Sequence, residues 1–169
     1  MRQIRCQLAM SLDGFIAGPK GEADWIETDP QIDFSTIYQR YDTLLVGRKT
    51  FLTAPSAFCM PGMKTFVLSR TLRQSDYPKV TILADDCEKK IADLRAAKSQ
   101  KDIWLFGGGK LFHSLLDANL VDAVEVAISP VMLGEGIRLL EPPGMRAKLK
   151  LTSHKIYPSG IVGLEYAVA

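Results

Sequence analysis

Short apolar runs recur along the whole chain, and most of them end at glycine, serine or a charged residue. Such runs, rich in branched and aromatic side chains and bounded by turn residues, are typical of buried strands. Between several of them, apolar residues repeat every three or four positions, which is the period of a helix that buries one side. The pattern predicts six strands, at residues 4–10, 43–46, 65–68, 80–83, 103–106 and 121–128.

Helices are predicted at three places between these strands. Asp29 suits the N-cap position of the first, with Pro30 in the first turn, and apolar residues follow at near-helical spacing as far as Tyr41. An amphipathic helix is predicted to begin near Asp86. A third helix is predicted over residues 111–116.

The last part of the chain has a different pattern. Residues 148–157 and 161–168 flank the turn residues Pro158-Ser159-Gly160, which predicts an antiparallel hairpin. Strands that alternate with helices predict an α/β fold, here a mostly parallel central sheet flanked by helices and closed by this hairpin. The length of 169 residues favours a single domain over residues 1–169. Residues 15–19 and 130–136 are predicted to be irregular connections.

Composition argues against several classes of function. The net charge is +2, with basic and acidic residues interspersed, so no nucleic-acid partner is expected. No apolar run is long enough to span a membrane and no secretory signal pattern is found, so no membrane partner is expected. The three cysteines and two histidines are far apart, which predicts reduced thiols in a cytoplasmic protein and no metal site.

Three consecutive glycines, Gly107, Gly108 and Gly109, follow the apolar run 103–106 and open the predicted helix 111–116. A turn without Cβ atoms lets a ligand approach the main chain, and a helix N-terminus offers free N–H groups to a phosphate. The motif is neither the dinucleotide fingerprint nor a P-loop, and a glycine-rich turn without a ligand is the alternative. The glycines therefore predict a phosphate-binding turn, provided that other strand ends agree.

Two other strand ends carry groups that suit anions. They are Gly47-Arg48-Lys49-Thr50 after the strand 43–46 and Leu68-Ser69-Arg70 at the end of the strand 65–68. In open α/β sheets, ligands bind outside the carboxyl ends of the strands, so these segments are expected to surround one long anionic ligand. Because a guanidinium beside a serine hydroxyl suits the extra 2′-phosphate of NADP, the residues favour NADPH as the cofactor.

The motifs that carry these groups also resemble a known family. They are residues 10–18 (MSLDGFIAG), 45–51 (LVGRKTF), 106–111 (FGGGKL) and 120–122 (LVD). Together they resemble the dihydrofolate-reductase-like superfamily over almost the whole chain. Within it they are most similar to the branch of the reductase domain of riboflavin-biosynthetic deaminase–reductases and its small single-domain relatives. The resemblance implies a homodimeric, NADPH-dependent reductase of a small pteridine- or pyrimidine-like heterocycle, similar to 5-amino-6-(5-phosphoribosylamino)uracil reductase.

The resemblance also implies roles for individual residues. The backbone of Ala17 is expected near the nicotinamide amide. The remaining cofactor contacts are expected from Gly47, Arg48, Lys49, Thr50, Leu68, Ser69, Arg70, Gly107, Gly108, Gly109, Lys110 and Leu111. The nicotinamide is expected to lie across the sheet near Met10, Phe51 and Phe106, facing a substrate pocket lined by Trp25 and Tyr38.

The residue that supplies a proton is left open by the sequence. Dihydrofolate reductases carry a carboxylate near the start of their first helix, and that position falls near Gln31, with Asp29 and Asp33 on either side. Riboflavin-type reductases carry an acidic residue before their glycine motif, where this chain has Phe106. Asp33 is the candidate catalytic residue, with Asp24, Tyr38 or a water as the other possible donors. The alternative functions are a true dihydrofolate reductase and a catalytically inactive nucleotide-binding or dimeric scaffold protein.

Overall fold

The computed structural model describes residues 1–140 and 146–169, in which ten strands and four helices are found. The strands are β1 (Ile4–Ser11), β2 (Phe15–Ala17), β3 (Tyr41–Gly47), β4 (Lys64–Leu68), β5 (Thr81–Leu83), β6 (Asp102–Gly107), β7 (Ala123–Ser129), β8 (Ile137–Arg138), β9 (Leu149–Ile156) and β10 (Val162–Val168). The helices are α1 (Phe34–Gln39), α2 (Arg48–Thr53), α3 (Cys87–Ala96) and α4 (Gly109–Asp117), with short 3-10 turns at Pro55–Phe58 and Gln74–Asp76. Within these ranges, no helix has the length and apolar character needed to cross a membrane.

Eight strands form one central sheet in the order β5-β4-β3-β6-β1-β7-β10-β9. The six strands from β5 to β7 are mutually parallel, and β10 and β9 continue the sheet in antiparallel pairing. The predicted α/β class, the mostly parallel sheet and the closing hairpin are all confirmed. Because the six parallel strands run in one direction, their carboxyl ends meet at one edge of the sheet.

One face of the sheet, called the α4 face here, is covered by α3 and α4. Side chains of β1, β6 and β7 pack there against Ile91 of α3 and Leu111, Phe112 and Leu115 of α4. Cys6 of β1 is fully buried in this layer, and burial raises the pKa of its thiol, so it behaves as a small apolar side chain. The α4 face is an apolar core, as expected for a face of a parallel sheet that is covered by helices.

The opposite face, called the α1 face here, carries aromatic and polar side chains. Trp104 of β6 stacks on Tyr41, with ring centroids 5.2 Å apart, and contacts Tyr38 of α1 at 5.7 Å. Phe51 of α2 packs between Phe58 and Tyr77 at the other end of this layer. Since α1 and α2 have only six residues each, they cover this face less completely than α3 and α4 cover the other.

A group of ionised side chains lies on the α1 face near the amino ends of the strands. Glu125 of β7 is buried and accepts hydrogen bonds from Arg5 (2.7 Å) and from both terminal nitrogens of Arg40 (2.8 and 3.0 Å). Arg5 also donates to Asp102 (2.8 Å). Burial alone would lower the pKa values of Arg5 and Arg40, but their hydrogen bonds to these carboxylates raise them overall. The buried Glu125 carboxylate is therefore paired with two guanidinium groups.

The first helix begins later than the sequence pattern predicts. α1 starts at Phe34 with Asp33, and not Asp29, as its N-cap. Pro30 lies instead in a turn closed by a hydrogen bond from the Ile32 amide to the Asp29 carbonyl (2.9 Å). Proline suits the second position of such a turn as well as the first position of a helix, so the sequence signal was ambiguous.

The role of Asp29 is correspondingly different from the predicted one. Its buried carboxylate accepts hydrogen bonds from the amides of Gln31 (2.8 Å) and Ser159 (3.0 Å). These bonds, the first above all, hold the pKa of Asp29 below its usual range. Asp29 therefore joins the segment before α1 to the turn between β9 and β10, and the predicted N-cap was wrong because a long-range contact claims the carboxylate.

Three other boundaries also differ from the prediction. Tyr41 begins β3 rather than ending a helix, and residues 48–53 form α2, which the pattern did not reveal. The segment 15–19 was predicted as an irregular connection, but β2 pairs there with the two-residue strand β8. Pairing between strands this short depends on contacts across about 120 positions, which no local pattern encodes.

Candidate functional site

The triple glycine lies against the end of β3, at the carboxyl edge of the sheet. A Cβ atom on Gly47 would be 3.8 Å from the carbonyl oxygen of Gly107, and one on Gly108 would be 3.2 Å from Thr50 Oγ1. Gly107 has a φ of 122°, which side chains rarely tolerate. The peptide bond between Gly107 and Gly108 is cis. Two of the three predicted strand ends therefore meet through bare main chain.

The glycines lead directly into α4, with Gly108 as its N-cap. The carbonyl of Gly108 accepts from the amides of Leu111 (3.0 Å) and Phe112 (3.1 Å), which closes the first turn. The amides of Gly109 and Lys110 are in the first turn, where a helix offers no acceptor of its own. This nine-residue helix therefore turns free N–H groups and its positive end toward the carboxyl edge.

Packing within the protein constrains both Gly109 and the side-chain position of Leu111. A Cβ atom on Gly109 would be 2.6 Å from the carbonyl oxygen of Arg138, at the end of β8. The absence of a side chain at Gly109 is therefore required by protein packing. Leu111 is buried in the core of the α4 face, so its side chain is directed away from the edge where a ligand would bind.

The charged residues of the predicted cofactor site are exposed at this same edge. Arg48 and Lys49 lie in the first turn of α2, Lys110 lies in the first turn of α4, and Arg70 follows β4. None of these four side chains forms an ion pair with another described residue. They therefore remain available to an anionic ligand.

Ser69 and Leu68 form the third strand end. The buried Ser69 hydroxyl oxygen accepts hydrogen bonds from the amides of Thr71 (3.2 Å) and Leu72 (3.0 Å). Its hydrogen stays free to donate, and Thr71 Oγ1 lies 3.4 Å away. The Ser69 hydroxyl thus stabilises the turn that contains Arg70, whether or not it also contacts a ligand.

Ala17 lies in the small sheet at the mouth of the site. It pairs with Ile137, so β2 and β8 form a two-stranded sheet beyond the ends of β1 and β7. Asp13 fastens this region, because its carboxylate accepts from the Ser11 hydroxyl (2.7 Å) and the amides of Leu133 (3.1 Å) and Gly134 (2.8 Å). These contacts, first among them the Ser11 hydroxyl, lower the pKa of Asp13 to about 2.

Met10, Phe106 and Phe51, the three residues predicted to lie near the nicotinamide, differ in the surface that they could offer to a ligand. Met10 alternates with Ala9 and Ser11 along β1, which puts its side chain on the same face as Cys6, the α4 face. Phe106 lies on the α1 face beside Trp104 and Phe58, so the side chains of Met10 and Phe106 are on opposite faces of the sheet. Phe51 is 1% exposed and packed in the core, which leaves no face of its ring open to a ligand.

Three of the four aromatic residues predicted near the ligand, namely Tyr38, Phe106 and Trp25, are not fully buried. Tyr38 is 43% exposed, and its ring contacts both Phe34 (6.5 Å) and Trp104 (5.7 Å). Phe106 is half-buried, 5.3 Å from Trp104. Trp25 is half-buried in the segment before α1, where its Nε1 donates to the Glu22 carbonyl (3.3 Å). The structure thus joins Tyr38 and Phe106 through Trp104, whereas Trp25 lies in a separate loop.

Asp33 has a structural task in α1. Its carboxylate caps the helix by accepting from the amides and hydroxyls of Ser35 and Thr36, at distances from 2.6 to 3.2 Å. The hydroxyl contacts, with Ser35 first, lower the pKa of Asp33 to about 2. A group that is ionised at neutral pH is a poor proton donor, so the geometry favours the capping role over the catalytic one.

Several residues of the α1 face gave no signal in the sequence. Gln7 and Ala9 of β1 and Ala127 of β7 are half-buried on this face, next to Trp104 and the buried Glu125. Single residues of these types inside apolar strands belong to no motif. The strict alternation of β1 and β7 could have assigned their face, had the register of the sheet been known.

Two shallow surface depressions lie away from this edge. One is bordered by Phe66, Leu83 and the last turns of α3, and the other by residues 55–59 and 76–80. Neither includes a residue of the glycine turn. Across residues 1–140 and 146–169, no cluster of three or more metal-binding side chains is found.

Comparison with known proteins supports the resemblance. A family model described as the RibD C-terminal domain matches residues 2–163. The uncharacterized protein YyaP of Bacillus subtilis (strain 168) is 34% identical over 179 residues, covering 98% of this chain and 94% of YyaP. Both matches extend over nearly the whole length of the chain.

Solved structures show the same fold. A Shewanella sp. PV-4 protein with a provisional assignment to riboflavin biosynthesis superposes with a TM-score of 0.83 at 27% identity, covering 100% of this chain and 99% of that one. Dihydrofolate reductase from Enterococcus faecalis, solved in complex with NADP(H), superposes with a TM-score of 0.70 at 18% identity, covering 98% and 96%. On the strength of the family match and the relative in B. subtilis, this chain belongs to the RibD C-terminal domain family.

Proposed function

We propose that this protein is an NADPH-dependent reductase that transfers a hydride to a small pteridine- or pyrimidine-like heterocycle. The observation that carries the proposal is the contact of bare main chain at Gly107 and Gly108 with Gly47 and Thr50, at the N-terminus of α4. Membership of the RibD C-terminal family supports reductase chemistry in general. The choice of NADPH and of the heterocycle is the finer part of the proposal.

The residues at the carboxyl edge fit a dinucleotide. The pyrophosphate would lie on the main chain of Gly47 and Gly108, with the amides of Gly109 and Lys110 as donors. The exposed Arg70, beside the Ser69 hydroxyl, would hold the 2′-phosphate. When bound, the reduced nicotinamide would supply the hydride.

The α1 face fits the acceptor. A flat heterocycle can stack on the aromatic group of Tyr38, Trp104 and Phe106, and this group excludes water from one side of the ring. Alignment of two rings supplies much of the acceleration in hydride transfer, so a positioning surface matters more than a reactive side chain. Because both Asp29 and Asp33 are engaged as hydrogen-bond acceptors, the proton is best taken from solvent or from the exposed Tyr38 hydroxyl.

The proposal also includes the oligomeric state and the cellular compartment of the protein. All eight residues of the edge strand β9 are exposed, and Leu149, Leu151 and Ile156 are among them. An open edge with apolar side chains suits pairing with a second copy, so we propose a homodimer with twice the 18.7 kDa mass of the chain, a quantity that sedimentation equilibrium measures. The three free cysteines suit a reducing compartment, which supports a cytoplasmic setting.

Calorimetric titration with NADPH tests the central claim. The wild-type chain should bind NADPH, and Gly108→Val should weaken binding about tenfold or more, because the added methyl groups occupy the surface that the pyrophosphate needs. Gly108 has a φ of −76°, which valine adopts readily, so the variant should fold. Arg70→Ala should weaken NADPH about tenfold but leave NADH nearly unchanged, because only NADPH carries the 2′-phosphate.

Gly163→Ala is the matched control, since its added Cβ would meet the Tyr157 ring at an ordinary 3.6 Å in β10. It should bind NADPH like the wild type. A wild-type chain that binds no NADPH, or a folded Gly108→Val that binds it equally well, would overturn the proposal. Loss of NADPH absorbance with dihydrofolate, with the ribosylaminopyrimidine, or with neither would separate dihydrofolate reductase, riboflavin-type reductase and inactive scaffold.

A further inference from the structure

Gln7 occupies the centre of the α1 face, on the middle strand of the proposed substrate site. It lies between Arg5 and Ala9 along β1 and pairs with Glu125 of β7. On the other side, β6 brings Trp104 next to it, and the Trp104 indole Nε1 donates to the Gln7 carbonyl (3.0 Å). The side chain is half-buried, which is unusual for a glutamine in the middle of a central strand.

The amide of Gln7 has a fixed orientation. The buried phenol of Tyr41 has one hydrogen to donate, and it donates it to Gln7 Oε1 (2.7 Å). Burial raises the pKa of Tyr41, so the phenol keeps this hydrogen throughout the neutral range. With Oε1 turned to Tyr41, the Nε2 group and its two hydrogens are turned away from it.

The Nε2 group has no hydrogen-bond acceptor among residues 1–140 and 146–169. In the same ranges, the buried side-chain nitrogen and oxygen atoms without a partner are Arg95 Nε and Ser159 Oγ, so Gln7 Nε2 is not sealed inside the protein. The neighbouring Glu125 does not accept from it, and the carboxylate oxygens of Glu125 accept instead from Arg5 and Arg40. An oriented donor pair therefore faces the accessible side of the sheet.

The surroundings of this donor suit a flat ring. Ala9 and Ala127 are paired on β1 and β7, two residues closer to the carboxyl edge than the pair of Gln7 and Glu125. Their side chains are small and occupy little of the α1 face. Trp104 and Tyr38 form an aromatic wall on the side of β6. A ligand in this space meets apolar surface on two sides and a neutral donor at its end.

We propose that Gln7 Nε2 binds a carbonyl oxygen or ring nitrogen of the heterocyclic substrate and so selects rings that present an acceptor at that position. The inference rests on the proposed function and names the substrate chemistry of the same site. It assigns to Gln7 the recognition of a neutral acceptor, in a chain whose helix-start carboxylates Asp29 and Asp33 are both bound to the protein itself. Gln7 thus acts as a substrate-binding residue.

Two matched probes test this proposal. Pteridine-2,4-dione carries two carbonyl acceptors, and 2,4-diaminopteridine carries amino donors in their place. The affinity of each probe for the NADP⁺-saturated chain is measured by the change in tryptophan fluorescence. The wild type should prefer the dione. Gln7→Glu keeps an oxygen for the Tyr41 phenol but replaces the donor with an acceptor, so the ratio of the two affinities should shift toward the diamine by about tenfold or more.

Gln3→Glu is the matched control, because Gln3 is exposed near the start of the chain and its substitution adds the same charge. It should leave the ratio as in the wild type. Should Gln7→Glu fail to fold, Gln7→Met removes the donor without adding charge, and it should weaken the dione about tenfold while leaving the diamine nearly unchanged.

The outcome separates this inference from the proposed function. If the wild type binds no NADPH, the proposed function fails. If NADP⁺ binds normally but the ratio is equal in the wild type and the Gln7 variant, or the wild type binds neither probe at millimolar concentration, only the role of Gln7 is overturned.

Discussion

On one face of the sheet, α4 contributes four buried side chains to an apolar core, whereas on the other face α1 contributes none that is buried. The two helices differ in length, with nine residues against six, and also in composition. α4 carries leucine and phenylalanine at every core-facing position, while α1 exposes Phe34 and Tyr38. The α4 face therefore contributes mainly to stability, whereas the α1 face leaves aromatic side chains exposed, and the proposed function assigns one of them, Tyr38, to ligand binding.

The carboxyl edge connects these two faces. Gly109 is closed against the backbone of Arg138, as a core position would be, whereas Gly108 next to it meets only the Thr50 hydroxyl. Within a single turn, packing against backbone therefore requires glycine at position 109, whereas the proposed function explains Gly108 by the approach of a ligand to the main chain. On this proposal, Gly108 serves binding and Gly109 serves stability, just as the α1 face and the α4 face do.

Substitution in the α4 face should have the largest effect on stability. Leu105 in β6 is fully buried there, and Leu105→Ala should lower the free energy of unfolding by about 3 kcal/mol, through lost apolar burial and the cavity left behind. Urea unfolding followed by circular dichroism measures this. Leu12→Ala, at a leucine that is 64% exposed, is the control and should change it by less than about 0.5 kcal/mol. Similar losses in the two variants would contradict the assignment of the core.

Substitution in the α1 face should separate binding from stability. Tyr38→Ala should lower the affinity of the NADP⁺-loaded chain for pteridine-2,4-dione by about tenfold, because one stacking partner is lost. The free energy of unfolding should fall by less than about 1 kcal/mol, since the side chain is already half exposed. Leu52→Ala on α2, also exposed, is the control and should leave probe affinity unchanged. A large loss of stability with unchanged probe affinity would place Tyr38 in the core instead.

The features that could be predicted from the sequence are local ones. The glycine turn, the hairpin around Pro158-Ser159-Gly160 and the helix after Asp86 each depend on neighbouring residues, and all three are present in the structure. The motifs also supplied the family, which the family model confirms. Local turn chemistry and a family motif therefore established the fold class and the edge at which the candidate site lies.

The features that were missed depend on contacts between distant parts of the chain. The resemblance placed Met10 and Phe106 near one nicotinamide, but their side chains lie on opposite faces, and the face of a strand residue depends on register. Asp29 was predicted to be a helix cap from the local Asp29-Pro30 pattern, which does not reveal a bond to Ser159 that spans 130 positions. No sequence pattern singled out Gln7, because the orientation and surroundings of its side chain depend on Tyr41 and Glu125, which lie on other strands.

The smallest expected effect concerns Asp13, which ties the end of β1 to the segment after β7 where the two faces meet. Its pKa is lowered to about 2 in the folded chain, against about 3.9 for an unperturbed aspartate. A lowered pKa means that the carboxylate stabilises the fold above about pH 4 and loses this effect as the pH falls toward 2.

Asp13→Asn should therefore have a slightly lower Tm than the wild type at pH 6, and the two Tm values should converge between pH 4 and pH 2 in a series of thermal melts. Asp24→Asn, at an exposed aspartate before α1, should follow the wild type throughout. A difference for Asp13→Asn that persists at pH 2 would show that the side chain acts there through its shape, and that the charge of the carboxylate does not hold the two loops together.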